Sequence, residues 1–599
     1  MSGLLPEGAA VVVLGQSAAA LGRRIAAHLP NASLHARAGS GVAADVAYDA
    51  LMPHLAALFA AGTPIVGLCA AGILIRAVAS LLAQKRAEPP VVAVAEDGSA
   101  AVPLLGGHRG ANALAREIAA LVGGAAAITT ASDVVLGFAL DELPPGWRIA
   151  DPDKIKDFAA ALIAGEPMAL AVEAGDAAWL TPLAVSPAAP RTIRVTDRAP
   201  TSGERALVLH PPVLALGVGC ARDCPPEELS SLVERTLAAH GLAAGAIALV
   251  ASLDLKMDEP AVAQLAAALG VPARFFAAAR LREETPRLEN PSDAVFRAVG
   301  CHGVAEGAAL AAAGPGGALV VPKERSPHAT CAIARAPVAL DPRNIGRARG
   351  SLRIVGIGPG DRAARTSEAE MALAAASDIV GLQLYLDLLG LALRGKSLHA
   401  SALGDEEGRV RRALDLAAEG RAVALVSSGD AGIYGLASLV FELLDRAARA
   451  DWALIDIAVV PGISALQAAA ARLGAPFGHD FCAISLSDLL TPWPTIERRL
   501  EAAAAGDFVV ALYNPRSSRR RTQLTRALEI LRGRRTPETP AAIARNLGRP
   551  GERVTVTTLG RLDEEDIDML ALVIVGSSAT RLLPGRTPRL YTPRGYRLP

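Results

Sequence analysis

Leu352-Arg-Ile-Val-Gly-Ile-Gly-Pro-Gly-Asp361 decides how the C-terminal part of this chain folds. A short apolar run predicts a buried strand, and the glycines that end it let another group approach the backbone with no Cβ in the way. The spacing is GxGxG rather than GxGxxG, and Pro359 lacks an amide that a pyrophosphate would need, so a dinucleotide fingerprint is excluded. Three further strand ends repeat the pattern: Val426-Ser-Ser-Gly-Asp-Ala-Gly-Ile-Tyr-Gly435, Val460-Pro-Gly-Ile-Ser-Ala465 and Ala511-Leu-Tyr-Asn-Pro-Arg-Ser-Ser-Arg519. Polar and glycine residues at the carboxyl ends of strands mark the ligand crevice of an open α/β sheet. Together the four turns predict one cleft.

Working outward, apolar runs alternate with Ala/Leu/Arg segments of helical spacing along the chain. Val11–Leu14, Pro64–Leu68, Val91–Val94, Leu214–Val218, Ile247–Ala251, Leu352–Val355, Ala422–Val426, Ile457–Val460, Phe508–Leu512 and Leu572–Val575 are expected as buried strands. Leu229–His240, Ile463–Leu473 and Thr522–Leu531 are expected as helices. The fold class is therefore α/β and multidomain, with parallel or mixed sheets flanked by helices. Composition breaks at Trp179–Glu204 and Arg335–Gly350, with a weaker one near Asp141–Pro152, give the expected boundaries. These are an α/β domain over 1–140, a middle domain over 141–207, a second α/β domain over 208–336, a linker over 337–350 and the last domain over 351–599.

The chain has 599 residues, which at roughly 100–200 per domain corresponds to about three to five units. Hydrophobic residues make up 51 %, enough for several cores, so wholesale disorder is excluded. Lysine plus arginine and aspartate plus glutamate both total 60, a formal net charge of zero that argues against nucleic-acid or anionic-membrane partners. Aromatics at 3 % argue against a base-stacking platform. Six cysteines do not make a disulfide framework, and a cytoplasmic location is expected. The start Met1-Ser-Gly-Leu-Leu-Pro-Glu carries no secretory pattern, and Leu55–Ile75 is expected as helix, turn, strand and helix rather than a membrane span.

The passages Gly356–Asp361, Ser427–Gly435, Pro461–Gln467, Asp480–Trp493, Tyr513–Ser518 and Asp568-Met-Leu570 resemble the tetrapyrrole (corrin/porphyrin) methylases. Ser485-Leu-Ser-Asp488 and Tyr513-Asn-Pro-Arg516 are similar to precorrin-3B C17-methyltransferases within that group. The resemblance covers residues 352–599; Leu382 departs from it where many relatives carry tyrosine. It implies two α/β subdomains, S-adenosyl-L-methionine as methyl donor and a homodimer formed through this domain. Pro359, Gly429, Asp430, Ile433, Ser464, Ala465, Tyr513, Asn514 and Asn546 are then expected to line the donor pocket. The plain alternative for Asp430 is a turn-stabilising residue and for Ser464 a helix N-cap, and both roles can coexist. The implied substrate, a precorrin or cobalt-precorrin macrocycle, carries many carboxylates. Arg516 is the expected partner for them, while Arg519, Arg520 and Arg521 are either further partners or a solvated basic face. Ring contraction, the family's second task, needs an acid or base, for which Ser485, Asp488 and Thr491 are candidates; Asp488 could instead cap a helix beginning near Thr491.

Ala70-Ala-Gly-Ile-Leu-Ile-Arg76, Pro103-Leu-Leu-Gly-Gly-His-Arg-Gly-Ala-Asn112, Ile128–Asp133, Gly217-Val-Gly-Cys220, Ser252–Glu259, Glu289–Asp293 and Val304-Ala-Glu306 resemble the cobalt-precorrin-5A hydrolase family. Cys220-Ala-Arg-Asp-Cys224 departs from its pattern. The implied reaction opens a δ-lactone on the contracted macrocycle and releases acetaldehyde. Lactone opening requires a base for water, for which His108 is the candidate, with a turn-holding histidine as the plain alternative. Arg76, Lys85 and Arg109 are candidates for gripping carboxylate arms; Lys256, Asp258 and Glu306 are weaker catalytic candidates. No protein-bound metal is expected, because Cys220 and Cys224, with Cys301, His302, His328 and Cys331, lack the spacing of a zinc site. The alternatives are a first half that binds the macrocycle without catalysis, a methylase acting on the cobalt-containing intermediate, and a related methylase acting on ribosomal RNA.

Overall fold

The apolar runs form strands whose alternate side chains enter two cores, one on each face of the sheet they share. In the computed structural model, which describes residues 6, 8–82, 88–129, 140, 143–393, 395–517, 520–565, 567–586 and 588–596 (backbone alone at 108 and 391), Leu352, Ile354 and Leu425 pack against the helices Glu406–Ala418 and Ala437–Ala447. Val355, Ala424 and Val426 pack on the other face against Ser367–Ala375. The sheet runs Ser397–Ser401, Asp378–Leu382, Ala422–Ser427, Ser351–Gly356, Asp456–Val460, and every pair is parallel. Thr366 and Asp405 start the flanking helices by accepting the Ala369 and Gly408 N–H groups.

The chain divides at Arg349/Gly350 into two compact units. The second contains that parallel sheet, a small sheet of Gly474–Ala475, Arg589–Tyr591 and Arg581–Leu583, and a further one. That further sheet runs Phe481–Ser485, Val509–Tyr513, Ala571–Val575, Pro540–Arg545, Arg553–Thr558. Only its first pair is parallel; the other three are antiparallel. Uniform parallel pairing, suggested by apolar strands alternating with helices, therefore stops here. Seven residues, 546–552, connect Pro540–Arg545 to Arg553–Thr558, and a connection that short joins only antiparallel neighbours.

The first unit holds three sheets among the described residues. The N-terminal one runs Val46–Tyr48, Ser33–Arg37, Ala10–Val13, Ile65–Leu68, Val91–Val94, Ala100–Leu105, Ala125–Ala126. Its first five strands are parallel, but Ala100–Leu105 folds back on Val91–Val94, with Val91 opposite Leu105, through a turn at Gly98 (φ 77°). The second sheet is Arg148–Ile149, Leu207–His210, Thr192–Val195, Ala169–Val172. The Pro/Thr/Ser/Arg-rich stretch Trp179–Glu204 thus contains an inner strand, with Ile193 and Val195 fully buried. The third sheet is Ala273–Phe276, Ile247–Leu253, Leu214–Cys220, Ala329–Arg335, Ala318–Arg325, parallel in its first three strands. Residues 337–349 belong to this unit: Leu340 N–H donates to Pro212 O, and the Arg347 and Phe275 backbones exchange hydrogen bonds. No helix among the described residues is long and apolar enough to cross a membrane.

Candidate functional site

Three strand ends of the parallel sheet meet at one point. Ser351–Gly356 lies between Ala422–Ser427 and Asp456–Val460, so the loops after all three emerge side by side at the carboxyl edge. They touch backbone to backbone. Gly358 N–H donates to Gly429 O (3.1 Å) and Gly429 N–H to Gly358 O (2.8 Å). A Cβ on Gly356 would stand 2.7 Å from both Gly429 O and Gly462 N, and one on Gly462 would stand 2.6 Å from Gly356 O. Only glycine fits at either place.

Asp430 locks this meeting point. Its carboxylate accepts Gly432 N–H (2.8 Å) and, across the gap, Gly462 N–H (3.0 Å). The turn-stabilising role is thus visible as an Asx turn, and the same carboxylate joins two loops. Ser464 is buried and caps the helix Ala465–Leu473 in a capping box with Gln467, so the N-cap role is present. Tyr513, at the end of Val509–Tyr513, accepts Leu466 N–H at 3.0 Å through its hydroxyl, and burial pushes its pKa above that of an ordinary phenol. Asn514 and Asn546 both adopt left-handed backbone (φ 50° and 52°). The loop after Asn546 returns to the glycines: Arg549 donates to Pro359 O and Ser428 Oγ, both at 2.8 Å. Pro359, Gly429, Asp430 and Ile433 sit on loops that meet at this edge, Ser464 and Ala465 open the helix beside it, and Tyr513 reaches that helix from the end of its strand. Arg549, which the sequence reading missed, ties the Asn546-Leu-Gly-Arg549 turn to the glycine loops.

A second group lies beside the first. Ser485 Oγ accepts Asn514 Nδ2–H (3.1 Å) and Ser487 N–H (3.2 Å). Arg520 is buried; its guanidinium donates to Asn514 O (2.8 Å) and Ser487 Oγ (3.0 Å) and stands 3.6 Å from Asp488. Asp488 also accepts Gln523 Nε2–H at 2.8 Å. The helix that follows starts at Trp493 with Pro492 at its N-cap, so Asp488 does not cap it; Thr491 lies in the turn before it. Arg516 donates to Glu564 O (2.7 Å). Arg520 thus holds backbone in place, Arg521 is exposed, and Arg519 lies outside the described residues.

In the first unit the candidates lie at different places, Lys256 and Asp258 just past the carboxyl end of the parallel strand Ile247–Leu253 and His108 at an opposite kind of edge. His108 falls in the turn Gly107–Arg109 directly after Ala100–Leu105. Because that strand runs backwards, the turn lies at the edge where the parallel strands begin, against Pro89, 2.5 Å from where a Gly106 Cβ would stand. Arg76 is exposed on the helix Ala71–Val78 and bonds its own Gly72 O; Lys85 lies outside the described residues. Glu306 is structural. Burial would raise its carboxyl, but Asn290 Nδ2–H and the N–H groups of Asn290, Lys323 and Glu289 overcome that and hold it below the usual range. Lys256 and Arg222 both face the buried Glu259 (3.4 and 3.0 Å), and Asp258 pairs with Arg222. Burial pushes the Cys220 thiol up to about 11. Among the described residues no group of three or more His, Cys, Asp or Glu is placed to hold a metal ion.

The site so built is lined mainly by main-chain polar groups. It offers backbone N–H and C=O groups at three strand ends and one fixed carboxylate, beside the half-exposed side chains of Ile433, Tyr434 and Leu570. Residues 351–563 match the model of the tetrapyrrole (corrin/porphyrin) methylases. A precorrin-3B C(17)-methyltransferase of Sinorhizobium sp. is 44 % identical over 250 residues, 41 % of this chain and 97 % of that protein. A cobalt-factor III methyltransferase of Priestia megaterium is 41 % identical over 248 residues, 41 % of this chain and 45 % of its own length. The crystal structure of the methyltransferase CobJ is 44 % identical, covers 41 % of this chain and 100 % of that one, and superposes with a TM-score of 0.39. The chain belongs to the tetrapyrrole methylase family, whose members take their methyl group from S-adenosylmethionine. Its first unit adds matches to the cobalamin synthesis G N-terminal part over residues 53–133 and to the G C-terminus over 214–334, so the chain is a fusion of two cobalamin-synthesis modules.

Proposed function

We propose that residues 351–599 methylate C17 of precorrin-3B, or of its cobalt-containing counterpart, with contraction of the macrocycle. The observation that carries this is the convergence of Gly356–Gly360, Gly429–Ile433 and Pro461–Ser464 at one sheet edge, beside the Ser485–Asp488 group. S-adenosylmethionine, when bound, supplies an electrophilic methyl carbon whose C–S bond breaks as the new C–C bond forms. The protein's part is placement. The glycine loops and Asn546 hold the donor through backbone groups, and Asp430 keeps negative charge near the sulfonium. Arg516 and the Ser485–Asp488 segment receive the macrocycle. Holding two reactants in line accounts for about 7–11 kcal/mol of barrier reduction. Ser485 or Asp488 then handles the proton that ring contraction requires, with Thr491 as the further candidate.

For residues 1–336 we propose a cobalt-precorrin-5A hydrolase-like module, divided as 1–140, 141–207 and 208–336, with 337–350 as the connection. His108, Arg76 and Lys85 stay its candidate base and carboxylate contacts. The turn of His108 at the edge opposite the parallel strand ends favours a second reading, in which the module binds or passes on the macrocycle without catalysis. We place the protein in the cytoplasm as a homodimer formed through the methylase unit, without nucleic-acid, membrane or resident-metal partners; any cobalt enters with the substrate. Mass spectrometry of products from cobalt-free and cobalt-loaded substrate tests the methylase reading. A gain of one methyl group together with the ring-contracted product supports it, and recovery of unmethylated substrate from both reactions overturns it.

A further inference from the structure

Tyr434 is a tyrosine in left-handed backbone (φ 53°), a conformation that a bulky side chain rarely adopts, and it lies one residue past Ile433 in the donor loop. Its hydroxyl crosses to the other subdomain. It donates to Ala483 O (2.8 Å) and accepts Ser485 N–H (3.1 Å), so one side chain bridges a carbonyl and an amide of the edge strand Phe481–Ser485. The ring rests against Tyr513, centroids 5.0 Å apart, while half of the residue stays open at 53 % exposure. Ser485 is in turn joined to Asn514, and Asn514 through Arg520 to Ser487 and Asp488. A continuous chain of hydrogen bonds thus runs from the donor loop to the segment placed at the macrocycle, with Tyr434 as its link across the cleft.

We infer that Tyr434 is a positioning residue that fixes the distance and angle between the methyl donor and the acceptor carbon. This rests on the donor and macrocycle sites proposed above. Nothing about donor recognition requires the hydroxyl, because both of its bonds point away from the donor loop. Removing it therefore frees the Ser485 segment to shift without altering the donor's own contacts, and a misplacement of about 1 Å costs on the order of 100-fold in rate.

Tyr434→Phe keeps the ring and deletes both bonds. In the full-length protein, calorimetry should give a Kd for S-adenosylhomocysteine within about threefold of wild type. With precorrin-3B as acceptor, kcat should fall about 10- to 100-fold. A wild-type kcat in the variant would overturn the inference. So would a loss of S-adenosylhomocysteine affinity and of melting temperature in step with kcat, which would make the residue a support of the fold alone. Failure of the wild-type protein to bind S-adenosylhomocysteine would instead overturn the donor site, and with it the premise of the inference.

Discussion

Asp430 shows how much one carboxylate does at this edge. It bonds Gly432 N–H within its own loop and Gly462 N–H in the next, so Asp430→Ala leaves two amides without their acceptor and lets the loops part. The variant should bind S-adenosylhomocysteine at least about tenfold more weakly, and lose about 1–3 kcal/mol of stability; unchanged affinity in calorimetry would remove Asp430 from the donor site. In the first unit, Glu228 gives a pH signature. Ser326 Oγ–H and the His328 N–H, then the His328 ring, hold its carboxyl down to about 2. The unfolded value is about 4.3, so its stabilisation is complete above that pH and disappears as pH falls toward 2. Denaturation of Glu228→Gln should therefore show a stability deficit at pH 6 that closes between about pH 4.3 and 2. A deficit constant with pH would contradict the pairing.

At the scale of elements, the glycine contacts set the tightest limits. Gly462→Ala drives a methyl group against Gly356 O and Gly429 O, which are backbone and cannot rotate away. Overpacking of this kind costs about 1–3 kcal/mol, and the donor affinity should fall with it; an unperturbed melting curve would mean the loops are looser than they stand. The strands on this edge were legible because Leu352–Val355, Ala422–Val426 and Ile457–Val460 are short, apolar and followed within three residues by glycine. The antiparallel half of the last sheet was not: periodicity within Ala571–Val575 says how deeply a strand is buried, not which way its neighbour runs. Likewise Arg520 looked like one of four arginines in a basic stretch. Its burial depends on Asn514 O and Ser487 Oγ, partners 6 and 33 residues distant that no local pattern reveals. Tyr434 stood inside a motif already singled out, yet its role depends on Ala483 and Ser485, again brought near only by folding.

The whole molecule joins two compact units at Arg349/Gly350, and each matches a different cobalamin-synthesis family. If their chemistries are separate, His108→Ala in the full chain should leave methyl transfer within about twofold of wild type while abolishing any release of acetaldehyde from a lactone substrate; a large loss of methylation would show that the two halves act as one. The central claim is narrower, that the three glycine loops of the parallel sheet hold the methyl donor. A crystal structure of the full-length protein soaked with S-adenosylhomocysteine tests it most directly. The ligand should lie against Gly429–Ile433, Ser464, Ala465 and Asn546, with its sulfur turned toward the Ser485–Asp488 segment. Density for it at any other edge of the sheet would contradict the account.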